Sequence, residues 1–381
     1  MDALMLPSNW QRVRLGDIAT FLKGKGLSKS QVSSNAKHEC ILYGELFTYY
    51  DRVITNIKNF TNIYNNPILS LSNDVLMSGS AETPDILATA SCILKEGVIL
   101  GGDILIIRPN SNLLNGCFLA YCIVYDKNQV LSKVVGSTVY HLYAKDLKDF
   151  EIPLPPLDEQ AAIANILSDV DRYLYSLDAL ILKKESVKKA LSFELLSQRK
   201  RLKGFNQNWQ KVRLGDIANY LTSNLSVEQI TQQGKIKVYD VNNFIGYTDI
   251  AFISDKPYIS IVKDGSVGRV RILPPKTNIL STMGALIANH KTTTEFLFYL
   301  LSNFDFKNFT SGSIIPHIYF KDYKEKTIFL PSLNEQIAIA NVLSGLDHEI
   351  ISLKNKKRQF ENIKKALNHD LMSAKIRVLK N

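Results

Sequence analysis

Two stretches of the chain carry apolar residues at alternating spacings of four and three. The first runs Val170, Leu174, Leu177, Ile181, Lys184, Lys188, Leu191, Leu195, and the second Leu346, Ile350, Leu353, Lys357, Phe360, Lys364, Leu367, Leu371. That period keeps one stripe turned toward a partner helix, so it predicts a coiled coil. Where one copy has Ile181 then Lys184, the other has Lys357 then Phe360. Two identical helices would not need this exchange of polar and apolar seam positions, and the two helices are expected to pair with each other. Pro155 and Pro156 forbid helix before the first stretch. Asp158 is placed to cap a helix starting at Glu159, as Asn334 is before Glu335, and each Glu sits at the positive end of the helix dipole. Arg199-Lys200-Arg201 followed by Gly204 reads as a stop signal. Each helix then runs about 42 residues, or ~60 Å at ~1.5 Å per residue, a spacer length rather than that of a core helix.

Outside these helices the patterns are short. Ser70 to Met77, Ile99 to Arg108, Ile236 to Val241, Tyr258 to Val262 and Val267 to Leu273 read as strands broken by Gly, Pro and Asn, with helices at Asn115 to Tyr125 and Thr294 to Asn303. Each such segment is a mixed α/β domain of ordinary size.

The chain also repeats itself. Asn9 to Ala19 returns as Asn208 to Ala218 with ten identities in eleven positions, and Leu154 to Asp171 returns as Leu330 to Asp347 with twelve in eighteen. The offsets are 199 and 176, so the segment between the shared blocks is 23 residues longer in the first half. Constant blocks alternating with variable ones point to a two-fold scaffold that presents two different surfaces.

Composition narrows the class. At 381 residues and 45% hydrophobic content, the chain can bury more than one core. Met1 to Leu6 lack the basic start and length of a signal peptide, and no stretch approaches the ~20 apolar residues of a membrane span; a soluble, cytoplasmic protein with no membrane partner is expected. Cys40, Cys92, Cys117 and Cys122 form no Cys-x-x-Cys pair, and buried free thiols are the preferred reading. A net charge of +10 makes nucleic acid the first partner to consider. The excess is local: Lys183 to Lys203 carries +6 and Ile351 to Asn381 carries +7, leaving −3 for everything else. DNA contacts in the variable segments must therefore come from small clusters.

Catalytic signatures are missing. Asn65-Asn66-Pro67-Ile68 lacks the aromatic residue of an amino-methylating loop. Pro84-Asp85 is not followed by Glu-x-Lys at Glu96, Lys23-Gly24-Lys25-Gly26 has no P-loop spacing, and the six histidines show no metal-ligand spacing. No catalytic residue, metal site or cofactor is expected in this chain. Gly136-Ser137 with His141 and Lys145, repeated as Gly312-Ser313 with His317 and Lys321, can offer a phosphate backbone N–H groups, a hydroxyl and charge. The alternative, a packing turn with a structural histidine, is preferred. Ser80 and Ser266 follow apolar strands. Arg269 and Arg271 alternate onto one strand face, and arginine pairs bidentately with guanine, although a solvated face explains them equally. Tyr50 and Arg52 close an aromatic run that can face DNA, although strand aromatics are more often core. Lys23, Lys25, Lys133 and Lys263 complete the candidate DNA contacts. Leu15 to Ala19 and its copy read as a short helix opening each domain.

The two Trp-x-x-Val-Arg-Leu-Gly-Asp-Ile-Ala openings, the two Leu-Pro-x-Leu-x-Glu-Gln blocks and the two long helices together resemble the specificity subunits of type I restriction-modification systems, over essentially the whole chain. The resemblance implies two α/β target recognition domains, at 1–155 and 204–331, joined by two long antiparallel coiled-coil helices, at 156–203 and 332–381, with a pseudo-two-fold internal repeat. It implies a bipartite, asymmetric double-stranded DNA target and docking of two methyltransferase subunits that carry S-adenosylmethionine and methylate adenine. Restriction subunits bringing ATP and Mg join that core. Two further readings are a coiled-coil protein scaffold without DNA readout and a specificity subunit of a related, non-type-I modification system.

Overall fold

The structure, a computed structural model, describes residues 7–63 and 65–378. Four helices among the described residues have nine residues or more: α1 (Gly116–Tyr125), α2 (Leu157–Leu196), α3 (Thr294–Ser302) and α4 (Leu333–Met372). The chain divides into two compact units. One runs up to Asp178 and resumes at Lys356; the other is Ala179–Asn355. Each unit thus takes half of α2 and half of α4, so the divisions fall within the long helices rather than at their ends.

The first unit is built on a mixed sheet in the order Ala19–Lys23, Ile104–Pro109, Asp74–Ser78, Ser91–Ile93, Val53–Ile54. Its first four strands are antiparallel neighbours and its last pair is parallel. Alternation sends successive side chains to opposite faces. Val75 and Met77 join Phe118 and Leu119 of α1 in one core, while Leu76, Ile104 and Ile106 join Ile41 and Leu100 in another. Being covered on both sides, Asp74–Ser78 is buried throughout. Asn115 caps α1, its Oδ1 accepting from the Phe118 N–H at 3.0 Å.

The second unit repeats this order with four antiparallel strands, Ala218–Thr222, Met283–Ala288, Tyr258–Val262 and Val270–Leu273. Ile259 and Ile261 meet Phe296 and Leu297 of α3; Tyr258 and Val262 face the opposite core. Thr293 caps α3 through the Phe296 N–H at 3.2 Å. The repeated openings are paired identically: Gln11–Arg14 runs antiparallel to Glu151–Leu154, and Gln210–Arg213 to Thr327–Leu330. The short element after each is a helical turn, Leu15–Ile18 and Leu214–Asp216.

Several sequence expectations shift. Ile99 to Arg108 is two strands, Ile99–Leu100 and Ile104–Pro109, because Gly101-Gly102-Asp103 turns the chain, with Asp103 at φ +60°. The first expected strand is Asp74–Ser78, and the last is shortened to Val270–Leu273 by Gly268 at φ +81°. The aromatic run before Arg52 contains a short helix, Glu45–Thr48, not a strand. The long helices begin at Leu157 and Leu333, placing Asp158 and Asn334 inside the first turn, where the Pro156 and Ser332 carbonyls accept from Gln160 and Gln336. Each is 40 residues long and stops before the basic cluster, where Gln198 and Ala374 adopt φ +62° and +56°.

Within both units the apolar residues of the helix stripes are buried or half-buried. Leu177, Ile181, Leu195, Ile350 and Leu371 are buried, and Val170, Leu174, Leu191, Leu346, Leu353, Phe360 and Leu367 half-buried. The lysines on the stripe are each answered by an acid. In the first unit Lys364 pairs with Asp171 and Lys357 with Asp178 at 2.7 Å, while Phe360 lies against Tyr173. In the second, Lys184 pairs with Glu349 at 2.7 Å and Lys188 with Asp347. In each unit, ascending α2 numbers meet descending α4 numbers, so the paired segments run antiparallel. Among the described residues no helix is long and apolar enough to cross a membrane, and no group of three or more His, Cys, Asp or Glu side chains could hold a metal.

Candidate nucleic-acid interface

The repeated Gly-Ser turns form hairpin tips. Val135–Gly136 pairs with Tyr140–His141 in the first unit, and Thr310–Ser311 with His317–Ile318 in the second. Gly136 and Gly312 have φ +126° and +90°, and a Cβ on them would lie 2.1 Å and 2.3 Å from the Val139 and Ile315 carbonyl oxygens; both turns therefore require glycine. Ser137 and Ser313 stand exposed at the tips with Val139, Ile314 and Ile315.

Beyond each tip lies the same three-part ladder. His141 stacks on Tyr143 with centroids 6.5 Å apart, and Lys145 Nζ lies 5.7 Å from the Tyr143 ring. His317 stacks on Tyr319 at 6.4 Å, with Lys321 Nζ at 5.5 Å. Four of these six residues were candidates from the sequence. Tyr143 and Tyr319 were not, although their identity at the 176-residue offset was the available signal. The hairpins are backed differently. His141 sits opposite Ser80 in the sheet register, and Ser80 Oγ donates to Asp103, which Lys23 Nζ reaches at 2.9 Å. The Lys23 ammonium holds the Asp103 carboxyl below the usual carboxylate range, with Ser80 and His141 adding to the effect. In the second unit His317 Nδ1 meets Asp264 Oδ1 at 2.6 Å, beside half-buried Lys263.

The remaining candidates scatter. Exposed Lys25 reaches the Asn66 carbonyl, Lys133 is exposed just before the first hairpin, and Ser266 and Arg269 are exposed ahead of the strand at Val270–Leu273. Arg271, expected to share an open face with Arg269, donates to the Asn242 carbonyl at 2.8 Å and lies over Tyr239. Ser80 is buried. Tyr50 and Arg52 are engaged inside the first unit. The Tyr50 hydroxyl accepts from the Lys58 N–H and is pushed up to about 12 by burial. Arg52 donates to the Ala90 carbonyl at 2.9 Å, and burial lowers its pKa. Sequence alternation cannot reveal that a polar side chain folds back onto a carbonyl many residues away.

What periodicity missed altogether is how each α/β segment is bolted to its helices. Glu159 accepts from Trp10 Nε1 at 3.1 Å and bidentately from Arg377 at 2.6 and 2.8 Å. Glu335 accepts from Trp209 Nε1 at 3.0 Å and from Arg201 at 3.0 and 2.6 Å. A carboxylate at a helix start, forked by arginine, has its lone pairs met although it is buried. Gln160 and Gln336 follow suit, each accepting a backbone N–H and donating to two carbonyls. Tyr121 of α1 donates to Asp171 at 2.8 Å and Tyr299 of α3 to Asp347 at 2.7 Å, so the acids that meet the seam lysines also hold the α/β layers.

Comparison with known proteins follows the same two-part division. A family model, the type I restriction modification DNA specificity domain, matches residues 7–184 and 206–362. The chain is 25% identical to the type I restriction enzyme MjaVIII specificity subunit of Methanocaldococcus jannaschii, covering 99% of this chain and 95% of that one. It is 30% identical to the putative MjaX specificity subunit of the same organism over 74% and 73% of the two chains. Among solved structures, the type I restriction-modification S subunit of M. genitalium matches with a TM-score of 0.69 at 20% identity, covering 97% of this chain and 98% of that one.

Proposed function

Since the chain belongs to the type I restriction-modification DNA specificity family, we propose that it is the subunit that selects the DNA target of such a complex and has no catalytic role of its own. The observation that carries this is the double match of the specificity domain, 7–184 and 206–362, which falls on a duplicated frame. The segments at 1–155 and 204–331 act as recognition domains, each reading one half of a split target. Their base-contacting surfaces differ, so the target is asymmetric. The helix regions at 156–203 and 332–381 form an antiparallel coiled-coil spacer with pseudo-two-fold symmetry. The in-unit pairs Asp171–Lys364 and Lys188–Asp347, which interchange at the 176-residue offset, support that reading. A rigid spacer fixes half-site separation as a dimer interface does in repressors.

Two methyltransferase subunits dock on the duplicated frame and supply S-adenosylmethionine chemistry on adenine, and restriction subunits supply ATP- and Mg-dependent cleavage. The test is methylome sequencing of cells that carry the chain with its methyltransferase. A discrete two-part motif is expected. Methylation without such a motif, or DNA affinity indifferent to salt between low and physiological concentration, would favour the protein-scaffold reading.

A further inference from the structure

Resting on that reading, we propose that the two hairpin ladders, Ser137–His141–Tyr143–Lys145 and Ser313–His317–Tyr319–Lys321, are matched clamps on the DNA sugar–phosphate backbone and take no part in reading sequence. The argument starts from sameness. Residues that distinguish two unlike half-sites must differ between the halves, whereas Gly, Ser, His, Tyr and Lys recur here at one offset inside segments that otherwise diverge. What is kept identical meets something identical at both half-sites, and in duplex DNA that is the backbone.

The geometry fits this partner. The tyrosine and lysine rungs of each ladder are exposed, with Tyr143 and Tyr319 about half accessible (48% and 49%), so the packing reading of the turn accounts for half-buried His317 on Asp264 but leaves the tyrosine rings and the ammoniums unexplained. The ring-on-ring and ammonium-on-ring contacts hold Lys145 and Lys321 in place without using their charge on a carboxylate. A pre-placed cation loses less side-chain entropy on meeting a phosphate than a free lysine does. The tip supplies a serine hydroxyl on a backbone bent by a positive-φ glycine. Charge complementarity is local, because outside the two helix-associated tracts the chain is net −3. The unlike backings, Ser80 with Asp103 and Lys23 against Asp264, lie behind the histidines, while the outward rungs are shared.

The experiment uses the chain reconstituted with its methyltransferase, comparing unaltered protein with Lys145→Ala, Lys321→Ala and the double variant. Binding to cognate and non-cognate duplexes is measured across a salt series, with size exclusion to follow assembly. Each single variant is expected to lower the slope of log K against log salt by about 0.9 and the double by about 1.8, equally on both duplexes, with assembly and methylated motif unchanged. An unchanged slope overturns the proposal. So does an altered methylation motif, which would make the ladders base readers, and so does lost assembly with DNA slopes intact, which would make them methyltransferase contacts. If the unaltered complex binds no DNA at all, the specificity reading itself fails, a separate outcome.

Discussion

At the scale of single residues, two buried carboxylates, Glu159 and Glu335, are each held by a tryptophan and an arginine. Arg201→Ala leaves the Glu335 carboxylate, 1% exposed, with only the Trp209 indole among its side-chain partners here; Arg377→Ala does the same to Glu159. Removing one partner of the buried Glu335 pair costs about 3 kcal/mol or more. Amides of the second unit should lose that much protection in hydrogen exchange for Arg201→Ala, and those of the first should lose protection for Arg377→Ala. The thiols give a pH test. Burial, aided by Glu45, pushes the Cys40 thiol up to about 11. At pH 8 roughly one part in a thousand is thiolate, the only reactive form, so alkylation of folded Cys40 should be slow and rise tenfold per pH unit. Rapid labelling at pH 8 would show that the site opens. The free-thiol reading was available from spacing alone, but the thiol's resistance was not, since it depends on what covers the sulfur.

Elements were the most legible level. The four-three spacing placed one stripe on each long helix, because a helix packed along one face must repeat its apolar residues at that period, but it did not name Tyr173, which lies against Phe360. Replacing Leu174 and Leu177, or Ile350 and Leu353, by glutamate puts unpaired charge on that stripe. Assembly with partner subunits should be lost on size exclusion, and assembly that survives would place the seam elsewhere. The four seam lysines read from sequence only as polar interruptions. Their acids lie more than 150 residues away and come from non-seam positions of the other long helix. Boundaries were legible to within a few residues, and the errors have causes. Capping residues tempt a start at Glu159 that the Pro156 carbonyl already permits two residues earlier, and a basic cluster marks the end less sharply than the positive φ at Gln198.

At the scale of the whole molecule, duplication and divergence make a prediction of their own. Replacing the segment 204–331 by a second copy of 1–155 should turn an asymmetric target into an inverted repeat of the first half-site, read by methylome sequencing; an unchanged motif would mean that sequence is read elsewhere. The sequence by itself determined the duplicated frame, the two long helices, the mixed α/β segments and the family, because these follow from periodicity and from identity at fixed offsets, both written along the chain. Only tertiary structure decided which candidate side chains stay exposed and which are engaged inside a unit. It withdrew Tyr50, Arg52 and Arg271 into contacts of their own, and it raised Tyr143 and Tyr319 beside His141, Lys145, His317 and Lys321 on two open hairpins. The physical reason is that a side chain's availability is set by the carbonyls, rings and charges that folding brings to it, and those come from distant parts of the chain in an order no local pattern encodes.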